Sequence, residues 1–122
     1  MNTKTKNITG WVLSGVTGLM LLASAADKIM GTEHAIQMGS SFGLSAKLYA
    51  GLGMIEAASI ALFLYPRTGM LGLLLLSSYL GGAIATHLQH GQEILFPAAI
   101  EAVVWIAAVI RFPELTQKIT GK

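Results

Sequence analysis

Four long apolar runs, separated by short polar stretches, divide the chain at about residues 8–26, 44–65, 69–87 and 94–112. A bilayer core takes roughly 20 apolar residues in a helix rising ~1.5 Å per residue, and each run approaches that length. The pattern predicts an all-α membrane protein: four transmembrane helices in an up-down-up-down bundle, forming one domain over 1–122. The run from Leu71 to His87 is the central one, with no charged side chain before its terminal imidazole. Its second half is rich in small residues. Ser78 and Gly82 are four apart, as are Gly81 and Ala85. In lipid, where packing replaces the hydrophobic effect, small residues at this spacing let helix backbones approach closely. Ser78, Gly81, Gly82 and Ala85 are therefore expected to be the packing surface of the third span.

The breaks between runs set the connections. Pro66-Arg67-Thr68 stops the second span and makes the second and third antiparallel neighbours. The turn from Leu88 to Glu93 precedes the last span, where Pro97 falls in the first turn and its missing N–H costs little. The stretch 27–43 is the one substantial loop, with a helical turn expected near Ala35–Met38. Met1–Asn7 and Glu114–Lys122 read as polar tails. The first span also resembles a secretory signal ending at Ala23-Ser24-Ala25. Its length exceeds the ~7–15 apolar residues of such signals, and three further spans follow, which favours a retained helix.

Charge then orients the bundle. Lys4, Lys6, Arg67, Arg111, Lys118 and Lys122 fall on one side, and only Lys28 and Lys47 on the other. The positive-inside rule predicts cytoplasmic termini and a non-cytoplasmic loop 27–43. A bacterial-type plasma membrane is the expected location. Composition agrees with the membrane reading: 11% of residues are charged, against about 25% in soluble domains. The net charge of +2 is too small to suggest nucleic acid as a partner. The absence of cysteine excludes disulfides, thiol redox chemistry and thiolate metal sites.

A few polar residues interrupt the apolar runs. Glu56 lies near the middle of the second, where a carboxylate costs about 2.5–3.5 kcal/mol on insertion scales and faces a bundle interior. Tyr79 lies at similar depth, counted from the Pro66 turn. His87 and Asp27 lie at the non-cytoplasmic ends of their spans, and Glu101 enters from the same side one turn before Trp105. Glu56, Tyr79, His87, Glu101 and Asp27 are expected to converge on one polar interior, with His87 bonded to Glu101 or Asp27. Asp27 and Lys28 read as an ion pair ending the first helix. No residue pair has the Glu-x-x-His spacing of bundle metal sites, so no metal is assigned. Phosphate loops, nucleophile triads and haem or flavin signatures are also missing.

These same residues carry a likeness. Ser24-Ala-Ala-Asp27-Lys28, Gly53-Met-Ile-Glu56, Pro66-Arg67-Thr68, Leu71-Gly72 and Tyr79-Leu-Gly-Gly-Ala-Ile-Ala-Thr-His87 resemble the DoxX-like group of small four-helix membrane proteins. So does the last span with Trp105, ending Arg111-Phe-Pro113. The resemblance covers nearly the whole chain, and Tyr79–His87 is its most specific part. It implies a membrane location. Relatives have been linked to thiosulfate:quinone oxidoreductase subunits, to membrane redox complexes and to assembly factors. The expectation is a non-catalytic accessory or assembly protein that meets another membrane protein, or a second copy, in the bilayer. The alternative is a membrane subunit of a quinone-linked oxidoreductase, with a quinone as its cofactor.

Overall fold

A computed structural model describes residues 2–121. All regular elements among them are helical: α1 (Thr3–Met30), α2 (Glu33–Ser41), α3 (Ala46–Leu64), α4 (Gly69–Gln89), α5 (Leu95–Arg111) and α6 (Pro113–Thr120). A 3-10 turn, Pro66–Thr68, joins α3 to α4. α1, α3, and α4 with its leading turn are long and apolar enough to cross a membrane. α5 has 17 residues, about 25 Å at ~1.5 Å per residue. With α6, bent from it by 102°, it is a fourth candidate.

Local chemistry sets the helix limits. Asn2, Thr32 and Ser45 each precede a helix, and their side-chain oxygens accept from the backbone N–H three residues on. These caps satisfy N–H groups that have no partner within the helix. Gly31 ends α1 in the left-handed conformation, with φ of 64°, which costs glycine little. Proline opens both the 3-10 turn and α6, where its fixed φ suits a first helical turn. Three segments are more ordered than the sequence pattern predicts. The first polar tail is the start of α1, the loop carries a nine-residue helix, and the second polar tail is α6. In each case a cap or an N-terminal proline supplies the start signal that apolar periodicity does not register.

α1 packs against α3 and α5, and α4 packs against the same two, so the four long helices close a ring. α2 lies across α1 and α3. Among the most completely buried side chains are Ile60, Phe63, Leu73, Leu76, Val104 and Ser14. They cluster toward the end of the bundle that holds the 3-10 turn. There Gly72 rests directly on the Phe63 backbone, leaving no room for a Cβ. Gly53 makes the equivalent approach to α1, where a Cβ would fall 2.9 Å from the Ala25 carbonyl. The expected packing surface of α4 is therefore corrected. Ser78, Gly81, Gly82 and Ala85 are exposed, and a Cβ at Gly81 or Gly82 would meet nothing within 4 Å. The three-residue turn holds α3 and α4 together at Gly72; farther along, side chains of both helices border open space.

Candidate functional site

That space is a cavity of about 530 Å³, bordered by α1, α3, α4 and α5 and covered by α2. Helical periodicity explains which side chains face it. On α1 these are Leu21, Ser24 and Lys28; on α3, Tyr49, Leu52 and Glu56; on α4, Tyr79, Ala83, Thr86 and His87. Each set recurs every three or four residues, the spacing of one helix face. Leu80, Phe96 and Ile100 extend the apolar wall, α2 contributes His34 and Met38, and Phe42 follows at its C-terminal cap.

The polar centre is an ion pair between helices. Lys28 Nζ donates to Glu56 Oε1 at 3.1 Å and to Ser24 Oγ at 2.5 Å. It also lies 5.3 Å from the centre of the Tyr49 ring. The Glu56 side chain is 2% exposed and that of Lys28 11%. Ser24 and Tyr79 lie beside the carboxylate. Two charges withdrawn from water survive only when matched this closely. The charges cancel, so the pair presents polarity to the cavity without net charge.

Asp27 does not pair with Lys28. Adjacent residues on a helix point about 100° apart, so Asp27 turns toward α2 and Lys28 toward α3. The Asp27 carboxylate accepts from the Thr32 hydroxyl and meets His34 Nδ1 at 2.9 Å. It still borders the cavity, at the α2 end.

His87 has neither expected carboxylate partner. Its Nδ1 lies 2.6 Å from the Ala83 carbonyl, one turn back on α4. Phe42, the C-terminal cap of α2, packs on its ring, with centroids 4.8 Å apart. Phe42 also meets His90 edge-on at 5.8 Å, and Gln92 Nε2 donates to Ser41 Oγ at 3.0 Å. α2 is thus fastened to the α4–α5 connection over the cavity.

Glu101 lies outside this group. Its neighbour Ile100 faces the cavity, which turns Glu101 away. It sits with Ser77 and Trp105 at the seam of α4 and α5, where Trp105 Nε1 donates to Ser77 Oγ at 3.1 Å. One carboxyl oxygen, Oε1, is buried there with no hydrogen-bond partner among the described residues. The structure thus brings Glu56, Tyr79, His87 and Asp27 to one cavity and leaves Glu101 at another seam. Ser78 and Gly82 edge the cavity, while Gly81 and Ala85 do not line it. Among the described residues no group of three His, Cys, Asp or Glu side chains is placed to hold a metal ion.

Several residues of the cavity escaped the sequence reading. Tyr49 precedes Glu56 by seven residues and Ser24 precedes Lys28 by four, spacings that share a helix face and carried the signal. Phe42 had no such signal, because its place follows from the fold of α2. Arg111 was read as a flanking charge only. It packs at the other end of the bundle, its guanidinium 4.0 Å from the Trp11 ring and 4.8 Å from each of Phe63 and Phe112. Its Nη1 donates to Ser14 Oγ at 3.1 Å.

Comparison with known proteins matches the chain to a family. The model of the DoxX-like family matches residues 12–110, a stretch that includes every polar group at the heart of the cavity. No curated protein matches the chain. No solved structure matches it either.

Proposed function

The chain belongs to the DoxX-like family, and from that premise and its apolar helices we propose an integral membrane protein that holds a small, mostly apolar ligand in the cavity. In this reading α1, α3, α4 and α5 are the four spans, running up-down-up-down, with both termini cytoplasmic and α2 on the opposite face. The proposed setting is a bacterial-type plasma membrane. The protein acts as a non-catalytic accessory factor, and the exposed small-residue face of α4 meets a partner membrane protein or a second copy. Glu56, Tyr79, His87 and Asp27 are the polar groups of its site.

The observation that carries this reading is the cavity. Apolar walls take up most of its lining, and one internally neutralised polar centre sits among them. Ligand pockets are built this way, with few polar groups placed to orient what the apolar walls bind. A hollow of about 530 Å³ falls within the ~300–1,000 Å³ of small-molecule sites.

The test is purification in mild detergent, followed by solvent extraction and mass spectrometry of co-purifying small molecules. A defined lipophile near one per chain is expected, and Ala83→Trp, which fills the cavity, should abolish it while the protein remains folded. Equal recovery with wild type and variant would place the lipophile on the surface and defeat the reading. The second reading, a membrane subunit of a quinone-linked oxidoreductase, is favoured by Tyr79 and Lys28, hydrogen-bond donors able to face a quinone carbonyl. A co-purified quinone whose visible or ultraviolet spectrum changes on reduction would favour it over the accessory role.

A further inference from the structure

The hydrogen bond at His87 decides which kind of ligand head the cavity accepts. Nδ1 lies 2.6 Å from the Ala83 carbonyl oxygen. A carbonyl only accepts, so Nδ1 is the donor, and in the neutral imidazole the other nitrogen, Nε2, carries a lone pair. No group among the described residues hydrogen-bonds Nε2, and the side chain lines the cavity. Phe42, packed on the ring at 4.8 Å, and the Ala83 bond together fix its orientation. Neither carboxylate expected from the sequence reaches it: Asp27 is engaged by Thr32 and His34, and Glu101 lies at the α4–α5 seam.

Most of the polar groups elsewhere in the cavity are already engaged. Lys28 is held by Glu56 and Ser24, Glu56 is held by Lys28 with Tyr79 beside it, and the Thr86 hydroxyl donates to the Gly82 carbonyl. An anionic ligand would find the cavity's lysine neutralised and Asp27 at the rim. A ligand whose head only accepts would set its oxygen against the Nε2 lone pair. A hydroxyl matches.

We propose that Nε2 of His87 is the anchoring acceptor of the cavity and that its ligands are neutral, largely apolar molecules carrying a hydroxyl donor, such as phenols or lipophilic alcohols. The inference rests on the cavity being a ligand site, and it adds the polarity of the ligand head and the atom that reads it.

The probes are 4-nonylphenol and its methyl ether, 4-nonylanisole, which share an apolar body and differ in the donor. Binding to the purified full chain in detergent is followed by thermal shift and by ¹⁵N spectra of histidine-labelled protein. The phenol should bind about five- to tenfold more tightly, the worth of one neutral hydrogen bond of ~1 kcal/mol. It should move the Nε2 resonance of His87 and leave Nδ1 bonded. His87→Phe keeps a ring against Phe42 and should bring the phenol down to the affinity of the ether. Phe42→Leu should keep the preference. Equal binding of both probes to wild type, with Ala83→Trp excluding both, would overturn the proposal and leave the cavity reading standing. Binding of neither probe, with nothing co-purifying, would overturn both. The wild-type preference and its nitrogen signal decide the matter even where His87→Phe fails to fold.

Discussion

Lys28 and Glu56 show how one side chain's position on a helix determines its partner. Two neighbouring charges, Asp27 and Lys28, end in different environments because consecutive helical residues diverge. Lys28 reaches Glu56 of α3, and Asp27 reaches the first turn of α2. Removing one member of a buried pair leaves the other charge uncompensated, at a typical cost of about 3–5 kcal/mol, whereas replacing both with apolar groups is often neutral. Lys28→Met should therefore lower stability by about 3 kcal/mol, and Lys28→Met combined with Glu56→Leu should recover most of the loss. Equilibrium unfolding in mixed micelles measures both. A loss in the double variant equal to the sum of the Lys28→Met and Glu56→Leu losses would show that the pair is not coupled. Glu56 was legible as an interior group because a mid-span carboxylate in lipid has few alternatives. Its partner was not legible, because Lys28 stands at a helix end, where a lysine extending to water is equally natural.

At the scale of the element, α4 separates two uses of glycine that look alike in sequence. Gly72 is in contact with the Phe63 backbone, whereas Gly81 meets nothing. Gly72→Leu should force α3 and α4 apart and destabilise the fold by more than about 3 kcal/mol, in the range of severe core overpacking. Gly81→Leu should change stability in detergent by less than about 1 kcal/mol, since glycine is the poorer helix former. If the proposed partner docks on that face, Gly81→Leu should instead abolish its co-purification. Melting temperature and pull-down together separate these outcomes. Small-xxx-small spacing marks surfaces able to approach closely; which surface does so is fixed by the connection. Here the three residues of Pro66–Thr68 bring Gly72, not Gly82, against its neighbour. α2 and α6 were hardly legible at all. They begin at a threonine cap and at a proline, and neither has the long apolar periodicity that announces a span.

For the whole molecule, helical class and membrane character were the most legible features, because both rest on averages over some twenty residues at a time. The cavity depends on where helices part, and no average over a segment reports that. The proposed orientation is open to direct test. Reporter fusions at Lys122 and within Thr32–Gly43 should be active on opposite sides of the membrane, with the C-terminal reporter cytoplasmic. Activity of both on one side would rule out the three crossings proposed between them.

The contact of Gly72 on Phe63 has a mechanical meaning for the bundle. It works as the spring of a clothes-peg. Backbone lies on backbone at that point, so the helices have nothing left to compress there, and the rigid side chains around Ile60, Leu73 and Leu76 brace the joint. Any widening of the jaws must therefore occur at the far end, around Tyr49, Ala83 and His87, where the interior is already open. A guest larger than the hollow would lift α2 and leave the joint closed.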